Sequence, residues 1–140
     1  MLTDPRFTAE VEITVPFHDV DMMGVVWHGN YFRCFEIARE ALLNQFDYGY
    51  RQMKASGYVW PVVDTRVKYR DAVTFEQRIR IRAHIEEVEN RLRIAYQIFD
   101  AQTGKRTTTG YTIQVAVEEA SREMCFVSPA ILFERMGIAP

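Results

Sequence analysis

The chain has 140 residues, 48% of them apolar, and a formal net charge of −2 at pH 7. This length fits a single domain over residues 1–140, and the apolar fraction is sufficient for a hydrophobic core. A charge so close to zero gives no electrostatic support for nucleic-acid binding. No apolar run is long enough to cross a bilayer, and no signal-peptide pattern is found, so we expect no membrane partner.

The two cysteines, Cys34 and Cys125, are far apart in the sequence and do not have the spacing of a metal site. Isolated cysteines are typical of a reducing compartment, so we expect a reduced cytoplasmic protein. The sequence also contains neither a glycine-rich phosphate loop nor a zinc motif. We therefore expect no metal and no cofactor.

The first half of the chain predicts one strand followed by one long helix. Residues 10–15 alternate between polar and apolar side chains, which indicates a half-buried strand, and Pro16 ends it. After a polar stretch with glycines, Asn30 has a side chain suited to the N-cap of a helix over residues 31–46. Apolar residues recur at helical spacing there and form one face, made of Tyr31, Phe35, Ala38, Leu42 and Phe46.

The second half predicts four strands and a short helix. The alternating segments are residues 58–70, 76–88, 92–100 and 105–118. Residues 51–57, before the first of these strands, have the composition of a loop. Ser128, Pro129 and Gly137 mark the N-cap, the first turn and the end of a short helix. In the last strand one face carries Tyr111, Ile113, Val115 and Val117.

One long helix is too small to cover both faces of a five-stranded sheet. An antiparallel sheet wrapped around that helix buries the apolar faces of both and leaves the other sheet face polar or available for assembly. We therefore predict an α+β fold with a five-stranded antiparallel sheet around one long central helix.

Residues 17–31 concentrate the side chains that suggest chemistry. This stretch contains Asp19, Asp21, Gly24 and His28, and it leads directly into the predicted helix. A helix N-terminus presents unpaired N–H groups and a partial positive charge. A carboxylate held beside such N–H groups is the outline of an acyl-transfer site.

The same stretch resembles the 4-hydroxybenzoyl-CoA thioesterase family of acyl-CoA thioesterases. The similarity rests on the pattern Asp19-x-Asp21-x-x-Gly24-x-Val26-x-His28-x-Asn30-Tyr31, followed by Glu36-x-x-Arg39. The resemblance implies the hotdog fold, in agreement with the predicted helix and sheet. It also implies hydrolysis of an acyl-CoA, or acyl carrier protein, thioester to the free acid. It further implies a homodimer with the two long helices side by side, often doubled to a homotetramer, with the substrate between subunits.

The resemblance places Asp21 at the catalytic carboxylate of the family. A carboxylate can attack the thioester carbonyl or act as a general base for water, and both routes stay open here. The alternative is a loop carboxylate that caps a turn, which is the commonest role of Asp in such loops. Asp19 is expected to support the loop, and Glu36 and Arg39 to form a structural surface pair at i,i+3.

The remaining motif positions are expected close to the substrate. At the position of His28 the family uses a main-chain N–H near the start of the helix to bind the thioester carbonyl. The His28 imidazole is a second candidate, for polarising that carbonyl or orienting water. Gly24 permits a positive φ or a close approach of the ligand. Val25, Trp27 and Tyr31 complete the predicted substrate-binding set.

Other features concern the acyl group and coenzyme A. Many family members have a small residue after the catalytic aspartate, whereas this chain has Met22 and Met23, so the pocket or its mouth is expected to differ. Aromatic residues between positions 46 and 60 are expected to be mostly core, although some are available to line the pocket. Basic residues alternate on two strands, either as solvated faces or as contacts to coenzyme A phosphates or an acidic carrier protein.

Two other functions fit parts of the pattern. A hotdog dehydratase or hydratase would use Asp21 and His28 on the acyl chain, but its usual His-Phe-Pro and glycine-rich signatures are absent from the sequence. A non-catalytic acyl-binding domain is the third possibility. The thioesterase is the leading hypothesis.

Overall fold

The computed structural model describes residues 2–140, which form two sheets and three α-helices. The strands are β1 (Thr8–Thr14), β2 (Tyr58–Val59), β3 (Val62–Tyr69), β4 (Arg78–Glu87), β5 (Leu92–Asp100), β6 (Arg106–Gln114) and β7 (Val117–Glu118). The helices are α1 (Asn30–Asn44), α2 (Tyr50–Ala55) and α3 (Ala130–Met136). None of the described helices is long and apolar enough to cross a membrane.

The larger sheet has five strands in the order β1-β4-β5-β6-β3, and every neighbouring pair is antiparallel. The smaller sheet pairs β2 with β7. α1 is the longest helix and packs on one face of the larger sheet. The predicted α+β hotdog fold, a five-stranded antiparallel sheet wrapped around one long helix, is therefore confirmed.

The core lies between α1 and the sheet. Phe35, Ala38 and Leu42 are buried on the helix face that their spacing predicted. The sheet contributes alternating residues of β4 and β5, namely Ile79, Ile81, Ala83, Ile85, Leu92, Ile94, Tyr96 and Ile98. The Phe35 ring stacks on the Tyr96 ring, with the centroids 4.3 Å apart. Burying a side chain of this size contributes about 1.5–3 kcal/mol, so this contact holds α1 over the sheet.

β6 carries polar residues on the side of α1. Tyr111 and Ile113 share a face, as predicted, but that face points away from the helix, because Thr112 and Gln114 occupy the helix side. The Thr112 and Tyr96 hydroxyls are 2.8 Å apart, and the Gln114 amide donates to a main-chain carbonyl at 2.8 Å. Polar side chains with such partners are tolerated in a core.

Two predicted strands are interrupted in the structure. Residues 58–70 divide into β2 and β3 at Pro61, which has no N–H for a ladder bond. Residues 105–118 divide into β6 and β7, so Val115 does not belong to either strand. The prediction of a loop over residues 51–57 is wrong, because α2 forms there and buries Met53. Tertiary packing overrides the polar composition of that segment.

The helix ends also differ in detail from the prediction. Asn30 is the first residue of α1 and not its N-cap, and its side-chain amide donates to the Asp19 main-chain oxygen at 2.9 Å. Ser128 does not cap α3, since its hydroxyl donates to the Val88 carbonyl and ties this part of the chain to the end of β4. Gly137 ends α3 as predicted, with a φ of 69°.

Candidate active site

The motif residues form a tight loop between β1 and α1. Val20 and Val26 form an antiparallel bridge at its base, inside which the Asp21 N–H donates to the Val25 oxygen at 2.9 Å. The Gly24 N–H donates back to the Asp21 oxygen at 3.0 Å. Gly24 has a φ of 77°, a conformation that side chains with a Cβ rarely adopt. The turn therefore requires glycine, and it presents Asp21 at its first position.

The Asp21 carboxylate is exposed on this turn. Its Oδ1 atom accepts from the Met23 N–H at 2.9 Å, which is the turn-capping contact that the sequence offered as an alternative role. Its Oδ2 atom makes no hydrogen bond or ion pair to any residue between 2 and 140. One oxygen thus orients the group, and the other is available to act as nucleophile or base.

Main-chain hydrogen bonds attach the loop to the segment after β3. The Val26 N–H donates to the Val73 oxygen at 2.6 Å, and the Phe75 N–H donates to the Gly24 oxygen at 3.2 Å. These bonds hold the turn against the rigid sheet at two points. The position of Asp21 therefore depends on residues about 50 positions later in the chain, which is the separation between Gly24 and Phe75.

Asp19 is buried at the centre of the loop, with 6% of its surface exposed. Its carboxylate pairs with Arg33 in the first turn of α1 and lies 3.6 Å from the His18 Nε2 atom. Its main-chain oxygen accepts from the Trp27 N–H at 3.0 Å and from the Asn30 amide. A carboxylate at this end of the helix also interacts favourably with the helix dipole. These contacts agree with the supporting role expected of Asp19.

The main-chain N–H groups of His28 and Gly29 lie at the start of α1. The Trp27 oxygen accepts from the Asn30 N–H at 2.9 Å, and the His28 oxygen accepts from the Tyr31 N–H at 3.4 Å. Because N–H and C=O point in opposite directions in a trans peptide, the His28 and Gly29 N–H groups point away from the helix. Neither has an acceptor within the described part of the chain. Such a pair is suited to binding an oxyanion.

The indole of Trp27 covers Gly29. A Cβ atom on Gly29 would lie 2.2 Å from the Trp27 ring, so any larger residue at this position would push the indole aside. The Trp27 ring is partly exposed, and its centroid is 4.9 Å from that of the His28 imidazole. No hydrogen bond or ion pair joins His28 to Asp21 in residues 2–140, so the two catalytic candidates share a loop without forming a direct pair.

Tyr69, the last residue of β3, contacts the site and was not predicted as a site residue. Its hydroxyl donates to the His28 main-chain oxygen at 3.2 Å. Its ring meets the buried Tyr31 ring edge-on, with the centroids 4.9 Å apart. Burial raises the pKa of both tyrosines above the usual value, so both are protonated at neutral pH. No local pattern identifies this contact, because it joins residues that are 41 positions apart.

One cavity lies beside the predicted site, and a second lies farther along α1. A depression of about 340 Å³ beside the loop is lined by Val25, Val26, Tyr31, Tyr69, Arg70, Asp71 and Ala72. A cleft of about 540 Å³ lies between α1, α2 and β2, and its lining includes Glu36, Arg39, Leu43, Tyr50, Met53, Tyr58, Trp60 and Gln114. The depression therefore contains two of the predicted substrate-binding residues, Val25 and Tyr31, but not Gly24 or Trp27.

The aromatic residues between positions 46 and 60 divide between core and cleft. Phe46 and Tyr48 are buried in the core, as expected. Tyr50, Tyr58 and Trp60 line the cleft. Because Trp60 is itself buried, it forms the floor of the cleft while Tyr50 stands exposed at its edge. The cleft thus has an aromatic wall of the kind that an acyl group would contact.

Most of the chain matches the model of one protein family. Residues 15–133 match the model of a family described as the thioesterase-like superfamily, and this match includes the complete motif from Asp19 to Arg39. The chain belongs to the thioesterase-like superfamily. The resemblance to the 4-hydroxybenzoyl-CoA thioesterases is thereby confirmed at the level of the family.

Individual proteins similar to this thioesterase-like protein share fewer than a third of its aligned residues. "Putative esterase sll0410" of Synechocystis is 29% identical over 128 residues, which cover 91% of this chain and 77% of the relative. "Putative acyl-CoA thioesterase YneP" of Bacillus subtilis is 26% identical over 119 residues, covering 81% and 76%. The crystal structure of a DHNA-CoA thioesterase from Staphylococcus aureus is 28% identical, with a TM-score of 0.78 over 85% of this chain and 80% of that one.

The structure of this superfamily member brings the predicted site residues together on one loop and the first turn of α1. Asp21, Gly24 and Val25 lie on the turn, and Trp27 and His28 lie just before the helix. Tyr31 is the second helical residue and is buried under the loop. Their catalytic and binding roles remain predictions.

Proposed function

We propose that this protein hydrolyses an acyl-CoA thioester to the free acid and coenzyme A, with Asp21 as the catalytic carboxylate. Membership of the thioesterase-like superfamily places the chain among thioester hydrolases. The observation that carries the proposal is the arrangement at the loop. A carboxylate with a free oxygen and two free N–H groups lie within the same nine residues, at Asp21, His28 and Gly29.

In the proposed reaction, the thioester oxygen is bound by the free N–H groups at the start of α1. Negative charge develops on that oxygen during attack, and donors already in place stabilise it. Asp21 either attacks the carbonyl carbon, giving an anhydride that water hydrolyses, or takes a proton from a water that attacks directly. On both routes the C–S bond breaks and coenzyme A leaves as the thiol after protonation.

The coenzyme A portion would contact basic residues at and after the end of β3. Arg70 lines the depression beside Tyr31 and Tyr69. Arg66 and Lys68 line a second shallow depression, on the sheet face opposite α1. Within residues 2–140, none of these three cations is paired with a carboxylate, so their charges are available to phosphates.

A panel of thioesters tests the proposed function and its substrate class together. The same acyl group is presented on coenzyme A, on acyl carrier protein and on N-acetylcysteamine, and free thiol is measured with a thiol reagent. We expect thiol release from acyl-CoA, with a kcat/KM at least about tenfold lower for N-acetylcysteamine, which lacks the phosphates that cations would bind. A change in enoyl absorbance without thiol release would instead indicate a dehydratase.

Replacement of His28 by alanine should reduce kcat less than replacement of Asp21. The variant keeps the main-chain N–H, which is the group proposed to bind the oxyanion, and loses only an exposed imidazole. We expect a decrease of less than about tenfold, below the usual contribution of a general acid or base. Steady-state thiol release gives the value, with His84→Ala, on β4 and outside the loop, as the control. A loss as large as that of the Asp21 variant would assign the main role to the imidazole.

The proposed active form is a homodimer that associates through β3. β3 is an edge strand with β6 on one side only, and Val62, Val63 and Tyr69 are exposed on it. Unpaired strand edges with apolar residues favour pairing with another chain. The other edge, β1, is better protected, because its exposed Glu10 and Glu12 pair with arginines of β4. Pairing at β3 would also place a second subunit beside the depression that Tyr69 lines.

A further inference from the structure

We infer that Tyr69 is a positioning residue: its hydroxyl fixes the peptide between His28 and Gly29, so that the Gly29 N–H points at the developing oxyanion. This inference rests on the proposed thioester hydrolysis and adds to it a residue outside the motif. Tyr69 is the last residue of β3, and its hydroxyl contacts the main chain just before α1.

The peptide units at the start of α1 are not held equally. The Trp27 oxygen has a short main-chain bond of 2.9 Å to the Asn30 N–H, which fixes the His28 N–H on the same peptide. The His28 oxygen has only a long bond of 3.4 Å to the Tyr31 N–H. Since hydrogen bonds weaken beyond about 3.2 Å, the second peptide is poorly held by the main chain alone.

Tyr69 supplies a second contact for this peptide, from outside the helix. Its hydroxyl donates to the His28 oxygen at 3.2 Å, from the side of β3. The peptide is planar and trans, so fixing its oxygen also fixes the Gly29 N–H, which points the opposite way. A donor on the carbonyl also polarises the peptide, which makes the N–H a stronger donor to an oxyanion.

The Tyr69 ring is itself held in place. Its edge-on contact with the buried Tyr31 ring, at 4.9 Å, restricts its rotamer. On the backbone, Tyr69 pairs with Thr108 in the ladder between β3 and β6. The hydroxyl therefore has a fixed position relative to the sheet. Its hydrogen bond restrains the peptide between His28 and Gly29, which the helix alone holds weakly.

Tyr69→Phe tests the inference, because it removes the hydroxyl and keeps the ring contact with Tyr31. The matched control is Ser128→Ala, which also removes a hydroxyl that donates to a main-chain carbonyl but lies away from the loop, beside the end of β4. Loss of a whole oxyanion donor costs about 10²–10³ in kcat, so loss of its positioning should cost less. We expect kcat to fall about tenfold in the Tyr69 variant with KM changed less than about twofold, and no change in the control.

A second measurement needs no substrate. In ¹⁵N-labelled protein, the Gly29 amide resonance should shift and its backbone order parameter should fall in the Tyr69→Phe variant, while those of the Asn30 amide, bonded to the Trp27 oxygen, stay unchanged. Thermal melting checks that both variants are folded. An unchanged Gly29 resonance would overturn the positioning of the peptide, whether or not the protein is a thioesterase.

The kinetic result separates the inference from the proposed function. Thiol release by the wild-type protein with an undiminished kcat in Tyr69→Phe would overturn the catalytic part of the inference and leave the function standing. No thiol release by the wild-type protein from any member of the panel would instead overturn the function. An increase in KM alone in Tyr69→Phe would reassign the hydroxyl to substrate binding and so contradict the inference.

Discussion

Replacement of Asp21 by asparagine is expected to abolish thioester hydrolysis and to leave the fold and acyl-CoA binding intact. Asparagine keeps the size of the side chain and can still accept the 2.9 Å hydrogen bond from the Met23 N–H, so the turn should persist. It removes the charged oxygen that serves as nucleophile or base. We expect kcat/KM for thiol release to fall by at least about 10²-fold, the usual minimum for such a group.

The control for this experiment is Asp47→Asn. Asp47 is an exposed carboxylate just beyond α1, with a φ of 51° that asparagine also tolerates, so its replacement should affect neither activity nor stability. Calorimetry with a non-hydrolysable acyl-CoA analogue measures binding separately from turnover. If Asp21→Asn retained more than about a tenth of the wild-type kcat/KM, Asp21 would be only the cap of its turn.

Introduction of a charge on β3, by Val63→Asp, is expected to dissociate the proposed dimer and to remove activity. Val63 has 57% of its surface exposed in the single chain, so the substitution should cost the subunit fold little. In a dimer joined at β3, the same carboxylate would face the partner strand and require burial, which is costly for an unpaired charge. Light scattering should therefore show a species of 16.4 kDa, the mass of one chain.

Val127→Asp provides the comparison for the dimer experiment. Val127 is exposed to a similar extent, 60%, but lies in the segment before α3 and not at a sheet edge. This variant should remain a dimer with wild-type kcat. A wild-type protein that is monomeric at micromolar concentration and still releases thiol would contradict the assembly proposal, and a dimeric Val63→Asp variant would place the interface elsewhere.

The sequence alone determined the elements whose signals are local. Regular alternation identified the buried faces of β4 and β5, and the helical spacing of Phe35, Ala38 and Leu42 identified the core face of α1. The motif placed Asp21 and His28 on one loop before the helix, and of the two reasons offered for Gly24 the positive φ is observed. These features follow from neighbouring residues, because turns and amphipathic faces are set by side chains a few positions apart.

Local signals were misleading where distant residues provide the partners. On the polar helix-side face of β6, Thr112 is explained by Tyr96, whose hydroxyl lies beside its own, and this pairing is invisible until β5 and β6 are adjacent. α2 was missed for a similar reason, since Met53 is buried by other parts of the fold. A buried polar side chain needs a hydrogen-bond partner, and a short helix needs a surface to pack on. In both cases here the partner comes from a distant part of the chain.

Only the tertiary structure showed how the candidate site is held. Asp19 pairs with Arg33 across the loop. The Val73 oxygen accepts from the Val26 N–H, and the Tyr69 hydroxyl donates to the His28 oxygen. In the sequence, Tyr69 is only one of several alternating residues in a predicted strand. Its contact with the peptide before Gly29 arises because the antiparallel sheet returns the end of β3 to the start of α1, and no pattern within either segment encodes that meeting.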